Sequence, residues 1–143
     1  MDYLVEKLGW ESGDGLTCPG GSIANMYAMV MARHRRFPDL KSAGISGKPP
    51  MVVYTSDESH YSMAKSANWT GIGLDNVVYV PTDNRGRMVT ADLEAAIRKT
   101  LEEGKVPLMV NATIGSTVVG AFDDLAAIRQ VIDKFEVRVG EDN

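Results

Sequence analysis

Apolar residues recur at helical spacing from Ser22 to about Arg36, where Ile23, Met26, Tyr27, Val30 and Met31 share one face and Phe37-Pro38 ends the run. Residues 39–50 form a polar connection rich in turn residues. MVVYT, Met51 to Thr55, is short, apolar and β-rich, the pattern of a strand buried on both faces. A helix follows from about His60 to Trp69, and Gly71 and Gly73 lead into a second strand, Val77 to Val80. Thr90 to Glu103 is the clearest amphipathic helix, with Thr90 as its cap, Leu93, Ala96, Ile97 and Leu101 on one side, and Gly104 as its stop. PLMVNA, Pro107 to Ala112, reads as a third strand, and Leu125, Ile128, Val131 and Ile132 mark a last helix from Asp123 to Phe135. Strands alternating with helices predict an α/β fold with a mostly parallel sheet and right-handed crossovers.

Ligands of such sheets gather beyond the carboxyl ends of the strands. Two polar segments fall there: SDESHYSM after the first strand and TIGSTVVGAFD after the third. Three strands with four helices leave large apolar faces uncovered, so the chain reads as part of a larger architecture. The closing residues 136–143, EVRVGEDN, break the rhythm and read as a divergent tail.

Composition narrows the function classes. The chain has 143 residues, a formal charge of −4 and a sequence pI near 5.1, a balance that argues against binding a nucleic-acid backbone. No apolar run approaches the ~20 residues that span a bilayer, so no membrane role is expected. The acidic opening MDYLVEKLGW does not resemble a targeting peptide, and a cytoplasmic location is the expectation. The basic run Arg33-His34-Arg35-Arg36 closes a predicted helix, where cations suit the dipole. Cys18 is the single cysteine, and with two histidines, His34 and His60, a zinc site is not expected.

Few residues carry candidate chemistry. CPGGSIAN, Cys18 to Asn25, puts two glycines and a serine at a helix mouth. Either the turn needs them, with Ser22 as a cap, or the unpaired helix amides receive an anion there. His60 is either a helix-start histidine bonded to nearby backbone or a planar ring lying over a flat ligand. Thr117 either makes a local turn bond or offers its hydroxyl to a ligand.

Three segments, CPGGSIANMYAM, VVYTSDESHYSMAKSA and VPLMVNATIGSTVVGAFDDL, together resemble the pyridoxal-phosphate-dependent group II amino acid decarboxylases. The likeness is to the acidic branch, acting on glutamate, cysteine sulfinate or aspartate, and runs from about Asp14 to Phe135 after a lead-in of residues 1–13. It implies the first part of the large domain of an aspartate-aminotransferase-like fold, with pyridoxal 5'-phosphate as cofactor. Gly21 and Ser22 then cradle the cofactor phosphate, His60 stacks on its ring, and Thr117 lies beside it. Ser116 stands where the family has a neighbouring threonine, and Ala24 where many members have a phosphate-binding serine. The family's ring-nitrogen aspartate and cofactor lysine belong to motifs like HVDAAW and NPHK, which this sequence lacks. None of its seven lysines, Lys7, Lys41, Lys48, Lys65, Lys99, Lys105 and Lys134, lies in such a motif. The resemblance therefore implies a fragment or short isoform that is inactive alone, or a non-catalytic partner of full-length subunits. Family members are homodimers.

Overall fold

Runs of β-branched and aromatic residues too short for an amphipathic helix form three strands: β1 (Met51–Ser56), β2 (Val77–Val80) and β3 (Val106–Asn111). The computed structural model describes residues 2–139, with the side chains of residues 2–135. All strand pairs are parallel, in the order β2-β1-β3. Six α-helices accompany them among the described residues: α1 (Asp2–Lys7), α2 (Gly21–Arg36), α3 (Leu40–Ala43), α4 (Ser62–Trp69), α5 (Thr90–Glu102) and α6 (Leu125–Val139), with a 3₁₀ turn at Leu74–Asn76.

Strand β1 is central, and all six of its residues are buried. Side chains alternate across it. Val52 and Tyr54 pack with Leu93 and Ile97 of α5 and with Ile128 and Val131 of α6, whereas Val53 meets Met29 of α2 and Met63 and Ala67 of α4. Helices therefore cover both faces, which is why β1 reads as a continuous apolar run.

Strand β3 carries an irregularity. Val52 pairs with Pro107 but Val53 pairs with Met109, so the register slips and Leu108 and Met109 both pack toward the α2/α4 layer. Proline donates no hydrogen bond, and a bulge on an edge strand is where a sheet accommodates it. Beside β3 runs an apolar groove of about 300 Å³, walled by residues of β3, by Ile97 and Leu101 of α5, and by Ile132 and Phe135 of α6, with Tyr54 at its base. Burial pushes the Tyr54 phenol up to about 12, with Glu103 adding to the shift. Its hydroxyl faces Thr100, whose own hydroxyl is committed to the Ala96 carbonyl at 3.0 Å, and is left without a partner of good geometry.

Several local expectations are corrected. Thr90 does not cap α5: the cap position is Val89 and no side chain bonds there. Thr100 rather than Leu101 is buried on that helix. Ser22 likewise makes no capping bond, the cap of α2 being Gly20 with φ of +106°. The connection over residues 39–50 contains the short helix α3, because Leu40 finds a buried site. The last helix starts at Leu125 rather than Asp123 and continues through Val139, so the first half of the expected tail is helical; residues 140–143 lie outside the described residues.

Candidate functional site

Adjacent parallel strands end on the same side, so β1 and β3 deliver their following loops to one place. There a cleft of about 470 Å³ is lined by Asn25 of α2, by residues 58–61 and Met63 after β1, and by Asn111 to Thr113 and Gly115 to Val118 after β3. His60 and Thr117 thus meet on one cleft from segments 57 residues apart in sequence. Gly21 and Ser22 are not among its lining residues; they occupy the first turn of α2, one turn before Asn25, which is.

The first loop is held by backbone. The Asp57 amide donates to the Val80 carbonyl at 3.1 Å, and the Ser59 amide to the Ser56 carbonyl at 3.0 Å. His60 Nδ1 accepts the Ser62 amide at 3.1 Å, so the histidine is bonded to the start of α4 while its ring remains exposed. A nitrogen that accepts carries no proton, which places the proton of the neutral ring on Nε2. The Tyr61 ring lies 4.2 Å from that of His60 at a 33° tilt, and the Lys65 ammonium sits 4.8 Å from the Tyr61 ring centre. Ser59 Oγ is buried without a partner, an orphaned hydroxyl in the wall of the cleft.

The mouth of α2 is tied to this loop. Asn25 Nδ2 donates to Ser62 Oγ at 2.8 Å, joining the second turn of α2 to the start of α4. The positive φ of Gly20 requires glycine, whereas a Cβ on Gly21 would meet nothing within 4 Å. The helix mouth is therefore open, and its first amides have no side-chain cap.

Side chains and backbone together hold the second loop. Asn111 Nδ2 donates to Thr55 Oγ1 at 3.0 Å, linking the ends of β3 and β1. Ser116 Oγ accepts the Ala121 amide at 3.0 Å, and Ile114 and Phe122 form an antiparallel bridge. Ser116 thus makes the turn bond that the sequence offered to Thr117, and Thr117 stands exposed at the cleft. Asn25 and Asn111 were not singled out from sequence. Asn25 had a legible signal, since it lies three residues after Ser22 on the same helix face. Among the described residues no lysine lines the cleft, and no cluster of His, Cys, Asp or Glu is placed to hold a metal ion. No helix among them is long and apolar enough to cross a membrane.

Comparison with known proteins points the same way as this geometry. Residues 1–141 match the pyridoxal-dependent decarboxylase conserved domain. The chain is 48% identical to the acidic amino acid decarboxylase GADL1 of Xenopus tropicalis over 96% of its own length, and 52% identical to the cysteine sulfinic acid decarboxylase of Mus musculus over 94%. It spans 27% of each of these relatives. Among solved structures it superposes on mouse CSAD with a TM-score of 0.90 at 49% identity, covering 94% of this chain and 30% of that one. Oryza sativa TDC with PLP gives 0.80 at 26% identity, covering 94% of this chain and 31% of that one.

Proposed function

This chain belongs to the pyridoxal-dependent decarboxylase family, and on that premise we propose that it forms the first part of the cofactor-binding domain of a lyase releasing the α-carboxylate of an acidic amino acid as carbon dioxide. The substrate class is glutamate, aspartate or cysteine sulfinate, in line with the names of its relatives. The observation that carries the reading is the convergence of His60 and Thr117 on one cleft beyond two parallel strands.

The residues present fit a phosphorylated pyridine. The open mouth of α2 at Gly21 and Ser22 suits a phosphate, the exposed His60 ring suits a flat heteroaromatic face, and the orphaned Ser59 hydroxyl awaits a polar atom. When bound, pyridoxal phosphate supplies an electron sink for the pair left behind by departing carbon dioxide. His60 covers the ring, and because its Nδ1 is held by the Ser62 amide it presents Nε2–H alone as a donor. Ser62 also accepts Asn25, so the helix that receives the phosphate and the histidine that covers the ring share one anchor. Thr117 brings a hydroxyl from the loop after β3. The same reading expects a homodimer in the cytoplasm.

The test is carbon dioxide release from the three acids, assayed with pyridoxal 5'-phosphate on the protein purified from its source. Release from at least one acid supports the reading, and release from none overturns it. A second reading is a non-catalytic partner of longer subunits. It predicts that the 143-residue chain binds pyridoxal 5'-phosphate without turnover and co-purifies with a longer subunit.

A further inference from the structure

Asp123 lies outside the cleft, yet the loop that bears Thr117 depends on it. Its side chain is buried, at 5% exposure, and both oxygens are used: Oδ1 accepts the Met88 amide and Oδ2 the Thr113 amide, each at 2.7 Å. Its own amide donates to the Thr113 carbonyl at 2.9 Å, so Thr113 is gripped at both backbone groups. Met88 belongs to a different loop, closed by an antiparallel bridge between Thr82 and Met88. That loop approaches closely because Gly86 has no side chain: a Cβ there would lie 3.0 Å from Val119 Cγ2, 3.1 Å from Ala121 Cβ and 3.5 Å from Glu58 Cγ. Two loops distant in sequence are thus pressed together, with one carboxylate bridging their backbones.

We infer that Asp123 is a positioning residue that clamps loops 83–88 and 113–123 together and so sets where Thr117 stands on the cleft. A carboxylate out of water is tolerated only when hydrogen-bonded, and here the two backbone donors are the groups that fix the loop base. Above that base the Ala121 carbonyl accepts the Gly115 amide at 2.7 Å and the Ser116 amide at 3.2 Å, so order at Thr113 passes directly to the residues flanking Thr117. The tip itself projects into solvent, Val118 being 91% exposed. The identity of what Thr117 meets rests on the cofactor reading; the clamp does not.

The test uses the chain itself, comparing wild type with Asp123→Asn and Asp123→Ala. Asparagine keeps the shape but turns one acceptor into a donor facing an N–H group. Hydrogen exchange at the Thr113, Gly115, Ser116, Gly120 and Ala121 amides is expected to quicken about tenfold in Asp123→Asn and more in Asp123→Ala, the scale of one or two lost buried hydrogen bonds. Amides of β1 keep their protection. Affinity for pyridoxal 5'-phosphate, followed by fluorescence quenching, falls in the same order. Loop amides as protected as in wild type overturn the clamp. So does a variant that fails to fold, or one whose β1 amides quicken in step, because Asp123 then serves the whole fold rather than the cleft. A wild-type chain that binds no pyridoxal 5'-phosphate counts against the cofactor reading and leaves the exchange comparison to decide the clamp.

Discussion

Strands β1 and β3 are neighbours of equal length, MVVYTS against VPLMVN, yet every residue of β1 is buried and every residue of β3 only half-buried. Local sequence does not separate them. Their place in the sheet does: β1 has a partner on each edge, β3 on one, with the apolar groove along the other side. The difference continues into their loops. Residues 57–61 are settled by the Asp57 amide on the Val80 carbonyl of β2, the Ser59 amide on the Ser56 carbonyl and the Ser62 amide on His60, whereas residues 112–124 add Ser116 and Asp123 side-chain bonds to their own backbone bonds. The loop of the edge strand carries the larger share of side-chain clamps.

The sharpest way to break this comparison is to truncate one methionine in each strand. Met51→Ala, at a buried β1 site, is expected to cost about 2–5 kcal/mol in chemical denaturation. Met109→Ala in β3 is expected to cost about half as much or less, since part of that side chain is already in water. Equal losses would erase the distinction.

The loops supply the next contrast. His60→Ala removes a ring fixed by the Ser62 amide and is expected to weaken pyridoxal 5'-phosphate binding about tenfold, the scale of a lost aromatic contact plus buried area. Thr117→Ala removes one exposed hydroxyl and is expected to weaken it about threefold, near the lower end for a single hydrogen bond. Titration followed by fluorescence quenching checks both, and a larger loss at Thr117 would reverse the ranking of the two loops.

Tyr54 tests where the closed strand meets the open groove. Its folded-state pKa of about 12 lies above the ordinary 10, so its contribution to stability is complete below pH 10 and is lost as pH rises from 10 through 12. Tyr54→Phe removes that alkaline loss together with an unsatisfied hydroxyl, and the variant is expected to be up to about 1 kcal/mol more stable at neutral pH. Melting curves at pH 7 and above pH 10 check this; a destabilised variant would show that the hydroxyl has a partner after all.

The smallest effect is expected at Asp83, away from both strands. Its carboxyl accepts Arg87 Nε at 2.8 Å and the Arg85 and Arg87 amides, which hold it down to about 2 from 3.8. The stabilisation is therefore present above pH 3.8 and fades as pH falls toward 2. Asp83→Asn is expected to flatten the acid dependence in that window alone, leaving the ratio of the β1 and β3 losses unchanged.

Much of this molecule was legible in one dimension. Periodicity located the three strands and the main helices, and the glycine turn, the His60 segment and the Thr117 segment pointed to the family before any fold was seen. What stayed hidden depended on partners far along the chain. That β1 is central and β3 an edge, that Ser62 joins Asn25 to His60, that Ser116 rather than Thr117 makes the turn bond, and that Asp123 reaches Met88 were all decided by tertiary structure. The physical reason is range. Hydrophobic patterning is set by which face of a local element leaves water, and is written into neighbouring residues. A buried carboxylate or hydroxyl is satisfied by whichever backbone group the folded path brings within hydrogen-bond distance, and that path exists only once the sheet has chosen its order.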